Sequence, residues 1–457
     1  MKKISIILVD LILIFGSVFL SYHVLNAEEL IQDYERNIQA FYLISPAIIL
    51  LYLIFMYSYG LYNASRRKLG DLVYTVFLIS ISLMIGIMAV CFFVREGALA
   101  FPRSVILLSG PFIFSSLLFW RTLIWKGERI RHGIREVVIV GPEAEYLSSL
   151  LKEKYKELYR VTYTCEESDS QLPAYIRESD EIFMTSGVTA KGRDKILLTA
   201  SEKQTSVYFI PEYRDVSVMS ASMKKTDDIP TFHIPLLELT MEERFVKRTL
   251  DLILSSIAFT IAFPIGLIVA CFVKSDGGSI FYSQERLTRD GRVFKVLKFR
   301  TMIPNAEKLS GPVLAGENDP RITKVGKFIR ATRLDELPQI INILNGDMSI
   351  VGPRPERPFF TEQFIQEVPQ YSQRLKVKAG LTGLAQVEGK YNTTFENKLR
   401  YDLLYIANYS LYRDLLIILQ TIKILFVKDS TEGVVKEDKA KEKEFYGSLT
   451  TADHKVD

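Results

Sequence analysis

Two adjacent carboxylates, Asp335 and Glu336, are the residues of this 457-residue chain best placed to do chemistry. The segment Arg286–Arg333, just before them, carries twelve Lys or Arg and four Asp or Glu, so its net charge of +8 is twice the +4 of the whole chain. A carboxylate pair in such a basic field suits phosphate chemistry, with one carboxylate attacking phosphorus and the other holding a metal ion. The apolar segment 252–273 ends 62 residues before Asp335 and indicates that one substrate comes from a membrane.

The region around this pair contains no histidine. The four histidines all lie outside residues 240–430, at His23, His132, His233 and His454. The three cysteines are far apart and have neither disulfide nor metal-ligand spacing, at Cys91, Cys165 and Cys271. Catalysis by a serine–histidine or metal–histidine arrangement is therefore excluded there, which leaves carboxylates, basic groups and a hard cation.

The residues that follow the pair have the spacing of a helix. Apolar side chains recur at Leu337, Ile341 and Leu344. This pattern predicts a helix over 337–345 with one apolar face. Pro338 fits the first turn, where no hydrogen-bonded N–H is needed. Asp335 would then stand at or next to the N-terminus of the helix.

Two interpretations of Asp335 follow from this position. The positive end of the helix dipole and the nearby Arg330 and Arg333 would keep its carboxylate ionised, as an oxygen nucleophile requires. Alternatively, Asp335 is only an N-cap, which is a common role for aspartate. The neighbouring Glu336 and the surrounding guanidinium groups favour the functional interpretation.

Further cations stand on both sides of the pair. Residues 294–300 alternate like a strand, which places Lys298 and Arg300 on one face, where they could clamp a diphosphate. A solvated strand face would explain the same pattern. The turn Gly352-Pro-Arg-Pro355 holds Arg354 between two prolines, and a rigid arginine suits oxyanion binding.

Four apolar stretches lie in the first 125 residues, roughly at 4–25, 40–60, 71–94 and 104–125. Each approaches the ~20 residues needed to cross a bilayer. Residues 1–125 are therefore predicted to form a bundle of four transmembrane helices, in preference to the buried core of a soluble protein. Lys and Arg cluster on one side of these stretches, and an acidic loop lies on the other. The positive-inside rule places both ends of the bundle in the cytoplasm.

The later apolar segment, 252–273, is long enough for a further span, but two features favour a hairpin that enters one leaflet and returns. Basic residues flank both ends, so charge favours neither end outside. Pro264 lies near the middle, where it removes a backbone hydrogen bond and bends a helix. We expect a re-entrant helix over 249–273, within a compact α/β-mixed domain at 245–428.

Residues 136–236, between these membrane regions, are predicted to form a small Rossmann-like α/β domain. Buried strand patterns begin at Glu136, Glu181 and Ser206, with helical stretches between them. Only Gly141 of a dinucleotide-binding fingerprint is present, so a structural or regulatory role is favoured over a cofactor site. The Lys- and Glu-rich residues 432–457 are predicted to be a disordered tail.

From Lys247 to about Thr421 the chain closely resembles the bacterial sugar transferases, which load a sugar-1-phosphate onto polyprenyl phosphate. The resemblance rests on six ordered blocks, Lys247-Arg-x-x-Asp251, Gln284-Glu-Arg286, Lys298-Phe-Arg-Thr-Met302, Leu334-Asp-Glu-Leu-Pro-Gln339, Gly346-Asp-Met-Ser-Ile-Val-Gly-Pro-Arg-Pro355 and Leu381-Thr-Gly-Leu-Ala-Gln-Val387. The four spans and the α/β domain look like the large subtype, whose members initiate exopolysaccharide, capsule or O-antigen repeat units.

The resemblance implies an undecaprenyl-phosphate glucose- or galactose-1-phosphate transferase in the bacterial inner membrane, with its active site at the cytoplasmic face. Asp335 would attack the phosphate bonded to the sugar of a UDP-sugar, UMP would leave, and an aspartyl-phosphosugar would pass its group to undecaprenyl phosphate. Glu336 would hold Mg²⁺, and Pro264 would break the re-entrant helix. Arg354 would bind substrate phosphates together with the upstream cations, Lys298, Arg300, Arg330 and Arg333.

Three residues depart from the usual family pattern, at Phe263, Ala379 and Lys390, where Ser, Pro and Arg are common. None touches the acidic pair, so they bear on substrate detail and not on reaction class. Two other functions stay open: a non-catalytic membrane scaffold or regulator of polysaccharide assembly, and an NAD-dependent sugar-nucleotide modifier at 136–236. Membrane lipid is an expected partner, nucleic acid is not, and a homodimer is left open.

Overall fold

A computed structural model describes residues 3–25, 34–62, 68–93, 101–275, 277–303, 319–389 and 393–425. The chain divides into two compact units, Met1–Ile210 and Pro211–Asp457. The predicted tail at 432–457 and the family departure at Lys390 lie outside the described residues.

The first unit begins with four long apolar helices. These are α1 (Lys3–Leu25), α2 (Tyr34–Ser58), α3 (Leu69–Phe93) and α4 (Arg103–His132). α1 packs on α4, α4 on α3, and α3 on α2. Each helix is long and apolar enough to cross a bilayer. The predicted apolar helices of the first 125 residues are confirmed, and the chain is a membrane protein.

An ion pair is buried among these helices. Arg121 Nε donates to Asp10 Oδ1 at 3.1 Å, and Arg121 Nη2 donates to Asp10 Oδ2. Tyr52 Oη donates to Asp10 Oδ2 at 2.6 Å, and Arg121 Nη1 donates to the Leu61 carbonyl at 3.2 Å. The Asp10 and Arg121 side chains are 0% and 5% exposed. Ions so far from water persist only when hydrogen bonds fill their remaining positions, and here the neighbouring helices supply them.

The first unit continues as an α/β layer. Its elements are β1 (Arg135–Val140), α5 (Ala144–Lys154), β2 (Tyr159–Cys165), α6 (Leu172–Glu178), β3 (Glu181–Met184), α7 (Ala190–Lys203) and β4 (Ser206–Phe209). The strands form a parallel sheet in the order β2-β1-β3-β4, which confirms the predicted α/β domain. The sequence did not predict β2, because alternate positions of this edge strand are exposed and polar.

Gly141, the glycine of the β1 turn, has a packing role. Its φ is +121°, and a Cβ there would lie 2.2 Å from Thr185 Oγ1. A side chain is therefore excluded both by the backbone conformation and by the neighbouring strand end.

The second unit is mixed. Its helices are α8 (Tyr213–Met219), α9 (Met241–Ser275), α10 (Lys324–Ala331), α11 (Gln339–Asn345), α12 (Pro358–Glu367), α13 (Leu384–Glu388), α14 (Phe395–Ala407) and α15 (Leu411–Leu425). Its strands are β5 (Ser222–Thr226), β6 (Ile229–His233), β7 (Phe281–Leu287), β8 (Val293–Phe299), β9 (Ser349–Val351) and β10 (Gly380–Thr382). β5–β6 and β7–β8 are antiparallel, and β9–β10 is parallel. The largest core of this unit is built on α12, α14 and α15.

α9 continues through Pro264 and is anchored near both of its ends. Near its N-terminus, Lys247 forms a buried ion pair with Asp414 of α15. Near its C-terminus, Val269 and Val273 pack in a buried cluster with residues of β8 and α10. The stretch between these anchors is largely exposed and apolar. The predicted hairpin path of this helix stays a prediction.

Candidate active site

Asp335 and Glu336 lie together in a 3₁₀ turn, Leu334–Glu336, just before α11. Arg333 starts the turn with a φ of 55°, and Pro338 directly precedes the helix. The predicted helix at 337–345 is confirmed, although its first α-helical residue is Gln339. The pair therefore lies in a tight connection whose ends are fixed by two helices, α10 and α11.

The buried face of α11 differs from the predicted one. Its buried residues are Gln339, Ile340, Asn342 and Ile343. The side chains of the predicted face, Leu337, Ile341 and Leu344, are only partly buried. Apolar periodicity could not find the true face, because half of it is made of amides.

Asn342 explains why an amide belongs in that interface. Its Oδ1 accepts a hydrogen bond from Leu297 N, and its Nδ2 donates to the Lys295 carbonyl, both at 2.9 Å. The side chain thus pairs with the backbone of β8 as a neighbouring strand would. This contact fixes the distance between Lys298 on β8 and the acidic pair before α11.

Glu336 is held by two cations. Lys298 Nζ donates to Glu336 Oε1 at 2.7 Å, and an Arg354 terminal nitrogen donates to the same oxygen at 3.1 Å. Burial opposes ionisation of Glu336, but the charges and hydrogen bonds of Arg354 and Lys298 outweigh it and hold its pKa well below the usual range. Glu336 is therefore a carboxylate at neutral pH.

Asp335 has a different environment from its neighbour. Burial raises the pKa of Asp335, Lys298 and Arg330 oppose the rise, and the charge of Glu336 adds to it. The net shift is upward, so the prediction that the surroundings favour its ionised form was wrong in direction, because burial outweighs the cations. Among the described residues, no other side chain donates a hydrogen bond to this carboxylate. Apart from a hydrogen bond with the backbone N–H of Asp335 itself, its oxygens are available to a ligand or a substrate.

Arg354 is presented by a rigid turn. Arg374 donates to the Arg354 carbonyl at 2.9 Å, and Arg374 is itself buried in an ion pair with Asp402 at 2.8 Å. On the other side, the turn meets β10 so closely that a Cβ on Gly380 would lie 2.1 Å from the Gly352 nitrogen. The backbone is fixed from both sides, while the Arg354 side chain is 46% exposed and reaches Glu336.

Arg300 is not brought to the acidic pair. Its guanidinium donates to the carbonyls of Ser279 at 2.8 Å and Val273 at 3.0 Å, and also to those of Gly277 and Met302. It therefore holds the C-terminal end of α9, and its predicted phosphate contact stays a prediction. β8 ends at Phe299, so strand alternation does not extend to Arg300.

The remaining predicted residues lie in different places. Arg330, in the last turn of α10, is close enough to Asp335 for its charge to lower the pKa of that carboxyl. Arg333 starts the 3₁₀ turn, and Pro264 lies inside α9. The phosphate contacts assigned to the two arginines stay predictions.

A further arginine, Arg286, was missed as a site residue. Burial lowers the pKa of Arg286, Glu356 opposes the shift, and the positive charges of Arg357 and Arg354 lower it further. The charges of three guanidinium groups thus act on one another, which makes the surface around Arg354 attractive to an anion. The sequence could have revealed Arg286, because it belongs to the block Gln284-Glu-Arg286, one of the segments on which the family resemblance rests.

The residues of the pair fit a magnesium ion that is shared with a substrate. Among the described residues, no group of three or more His, Cys, Asp or Glu could hold a metal. Mg²⁺, however, is often bound by one or two carboxylates and completes its shell with water and substrate phosphates. Asp335 and Glu336 offer that donor set and no more.

Comparison with known proteins relates the region that contains this site to a family. Residues 242–428 match the family described as bacterial sugar transferase. The chain is 35% identical over 257 residues to a UDP-galactose-lipid carrier transferase of Erwinia amylovora, covering 52% of this chain and 53% of that protein. It is 34% identical over 302 residues to a UDP-glucose:undecaprenyl-phosphate glucose-1-phosphate transferase of Klebsiella pneumoniae, covering 62% and 64%. It is 39% identical over 191 residues to the exopolysaccharide production protein ExoY of Sinorhizobium fredii, covering 38% and 83%.

The chain belongs to the bacterial sugar transferase family. The matches to the Erwinia protein and to a Salmonella typhimurium undecaprenyl-phosphate galactose phosphotransferase span about half the length of those relatives, 53% and 50%. The family assignment therefore rests on the second unit, which contains the acidic pair.

Proposed function

We propose that the chain transfers hexose-1-phosphate from a UDP-sugar to undecaprenyl phosphate and releases UMP, as the initiating step of exopolysaccharide, capsule or O-antigen synthesis. One observation carries the proposal: Asp335 has no side-chain donor among the described residues, beside a Glu336 that is held by two cations. A carboxylate that no side chain holds, in a basic site, is suited to attack phosphorus.

The chemistry divides into two displacements at one phosphorus. A carboxylate oxygen of Asp335 attacks the phosphorus bonded to the sugar, and the bond to the bridging oxygen breaks, so that UMP leaves with the electron pair. A phosphate oxygen of undecaprenyl phosphate then attacks the same phosphorus and frees the Asp335 carboxylate. Two steps let a soluble donor and a membrane-bound acceptor react without being bound together.

The cations have separate tasks in these steps. Arg354 and Lys298 stand where they can bind the diphosphate oxygens whose charge grows as UMP leaves. Mg²⁺, held by Glu336, would neutralise diphosphate charge when bound. Because Glu336 Oε1 already accepts from both cations, substrate and metal binding would have to rearrange those contacts.

The anchors of α9 support a re-entrant path. Lys247 and Asp251 near one end and Val273 near the other are packed on the same unit. The exposed stretch between them, 256–268, would be about 20 Å long as a helix, which is too short for a hydrocarbon core of about 30 Å. We infer that α9 enters one leaflet and that both its ends lie on one side, the cytoplasmic side in the positive-inside orientation.

For the α/β layer of the first unit we propose a Rossmann-like fold with a structural or regulatory role. The parallel strand order β2-β1-β3-β4 supports a doubly wound sheet, since it is the order with which flavodoxin-like members of that class begin. The packing role of Gly141 supports the assignment of that turn to structure and not to a dinucleotide.

The names of the relatives support the substrate class. Those from Erwinia and Klebsiella are named for UDP-galactose and for UDP-glucose with undecaprenyl phosphate. We therefore propose glucose or galactose as the sugar.

The test is a panel of radiolabelled UDP-sugars offered to the purified full chain, with and without undecaprenyl phosphate. We expect one UDP-hexose to give a burst of UMP without lipid and continuous turnover with lipid, and the protein to carry acid-trappable label after the burst. A chain that releases UMP from no UDP-sugar would contradict the proposal and favour the non-catalytic scaffold.

A further inference from the structure

A groove runs between the C-terminal half of α9 and the amphipathic helix α10. It has a volume of about 440 Å³, and its walls include Ile265, Ile268 and Phe272 of α9 and Phe328 of α10. These four side chains are 42%, 60%, 60% and 64% exposed, so the groove opens outward through an apolar rim.

The inner end of the groove leads to the acidic pair. Val269 and Ile329 are buried at its base. Leu334 also lines it and is the residue before Asp335 in the 3₁₀ turn. The groove therefore ends one residue along the chain from the proposed nucleophile.

The outer end of the groove is continuous with the bilayer-facing part of α9. Ile261 and Phe263, just before the groove, are 64% and 53% exposed. On α10, Lys324 and Lys327 are exposed beside the apolar Phe328, the arrangement of a helix that lies in a membrane interface. Those lysines also suit the anionic headgroup layer.

The apolar side chains that line the groove favour a hydrocarbon as its ligand. Among the described lining residues, Lys324 is the only charged one, so a nucleotide or a sugar would lose its hydrogen bonds there. An apolar cavity of about 150 Å³ takes one benzene-sized molecule. The 440 Å³ of this groove therefore suits a chain of about three such groups.

We propose that this groove holds the isoprene units nearest the phosphate of the polyprenyl phosphate acceptor and so brings that phosphate to Asp335. The inference rests on the proposed function, because it assumes a lipid phosphate acceptor. It adds a binding site for the hydrocarbon chain. An acyl chain of an ordinary phospholipid is the alternative ligand. It is equally apolar, so an experiment has to distinguish it from the polyprenyl chain.

The first test fills the groove. Ile268→Trp places a large ring in it, and Leu267→Trp is the matched control, because Leu267 is the next residue on α9, is 54% exposed and does not line the groove. We measure the KM for undecaprenyl phosphate in nanodiscs, after normalising each protein to its own UMP burst. We expect Ile268→Trp to raise the KM about tenfold or more, which corresponds to the loss of about two buried methylene groups. Equal KM values for the two variants would overturn the proposal.

The second test needs no activity and uses the unmodified chain. A farnesyl phosphate that carries a diazirine on its hydrocarbon should label peptides containing 265–272 and 325–329. Undecaprenyl phosphate should compete with this labelling, whereas phosphatidylglycerol at the same concentration should not. Equal competition by phosphatidylglycerol, or labelling elsewhere only, would overturn the groove assignment. If the chain gives no UMP burst, the proposed function fails and the labelling still decides the groove.

Discussion

The helical bundle and the second unit each pair a carboxylate with an arginine, fully buried in the bundle and partly exposed in the second unit, and they leave different atoms unused. In the bundle, both oxygens of Asp10 accept hydrogen bonds, from Arg121 and from Tyr52. In the second unit, Glu336 accepts hydrogen bonds from Lys298 and Arg354. The adjacent Asp335 accepts none from any side chain among the described residues.

The difference teaches what separates a structural ion pair from a reactive one. A closed network satisfies every buried charge and so contributes to holding helices together. An open network keeps a carboxylate in place by its backbone and leaves its lone pairs for chemistry. The charges present are similar in both regions, so the count of charges alone does not distinguish them.

The largest expected effect comes from Asp335→Asn. The amide cannot attack phosphorus, so we expect UMP release to fall by a factor on the order of 10³ or more. The free energy of unfolding should change by only about 0.5 kcal/mol, because the carboxylate supports no other side chain. UMP assays and denaturant titration of the full chain measure both quantities.

Asp290→Asn is the matched control for this change, since the Asp290 carboxylate is 70% exposed in the same unit. It should keep both turnover and stability. Full turnover by Asp335→Asn would refute the assignment of the nucleophile.

Asp10→Asn should have the opposite profile. Removing one partner of a buried ion pair leaves Arg121 uncompensated, which costs about 3–5 kcal/mol. We expect unfolding in detergent at lower denaturant concentration, with UMP release per folded molecule retained. The double variant Asp10→Leu/Arg121→Met should recover most of the stability, because it leaves no lone charge. An unchanged unfolding midpoint for Asp10→Asn would mean that the closed network does not stabilise the bundle.

Asn342→Ala tests whether the open site depends on a closed network behind it. The change removes two hydrogen bonds to β8 and leaves two partly buried backbone groups without that partner, at a cost of about 1–3 kcal/mol. Because β8 carries Lys298, we expect the KM for the UDP-sugar to rise together with the loss of stability. Asn345→Ala, at the exposed end of the same helix, is the control and should change neither. A loss of stability with an unchanged KM would show that Lys298 is positioned by other contacts.

Elements with one repeating pattern could be predicted from the sequence. The apolar helices of the first 125 residues and the buried strands β1, β3 and β4 each follow from a run of like residues. The helix after the acidic pair was found from its apolar spacing and from Pro338. In each case, local preference and burial lead to the same structure.

The predictions failed where a polar side chain makes contacts with residues that are distant in the sequence. Asn342 turns the buried face of α11 toward β8, although no local pattern reveals that contact. The prediction that Arg300 shares a strand face with Lys298 was wrong, because β8 ends at Phe299 and Arg300 binds carbonyls at the end of α9. The direction of the Asp335 pKa shift was also missed, because burial depends on the whole fold and not on neighbouring arginines in the sequence.

The smallest expected effect is a change in pH dependence caused by Arg330→Gln. The positive charge of Arg330 lowers the pKa of Asp335, against the larger effect of burial, which raises it. Removing that charge should raise this pKa further, so a larger fraction of Asp335 is protonated and unreactive at a given acidic pH. The acid limb of kcat/KM for UMP release, which reports the free enzyme, should move to higher pH. Lys327→Gln, one turn earlier on α10 and exposed, should leave the limb in place. A limb that moves equally in both variants would mean that Arg330 acts on Asp335 only through the general positive field, as any surface cation would, and not as a specific neighbour.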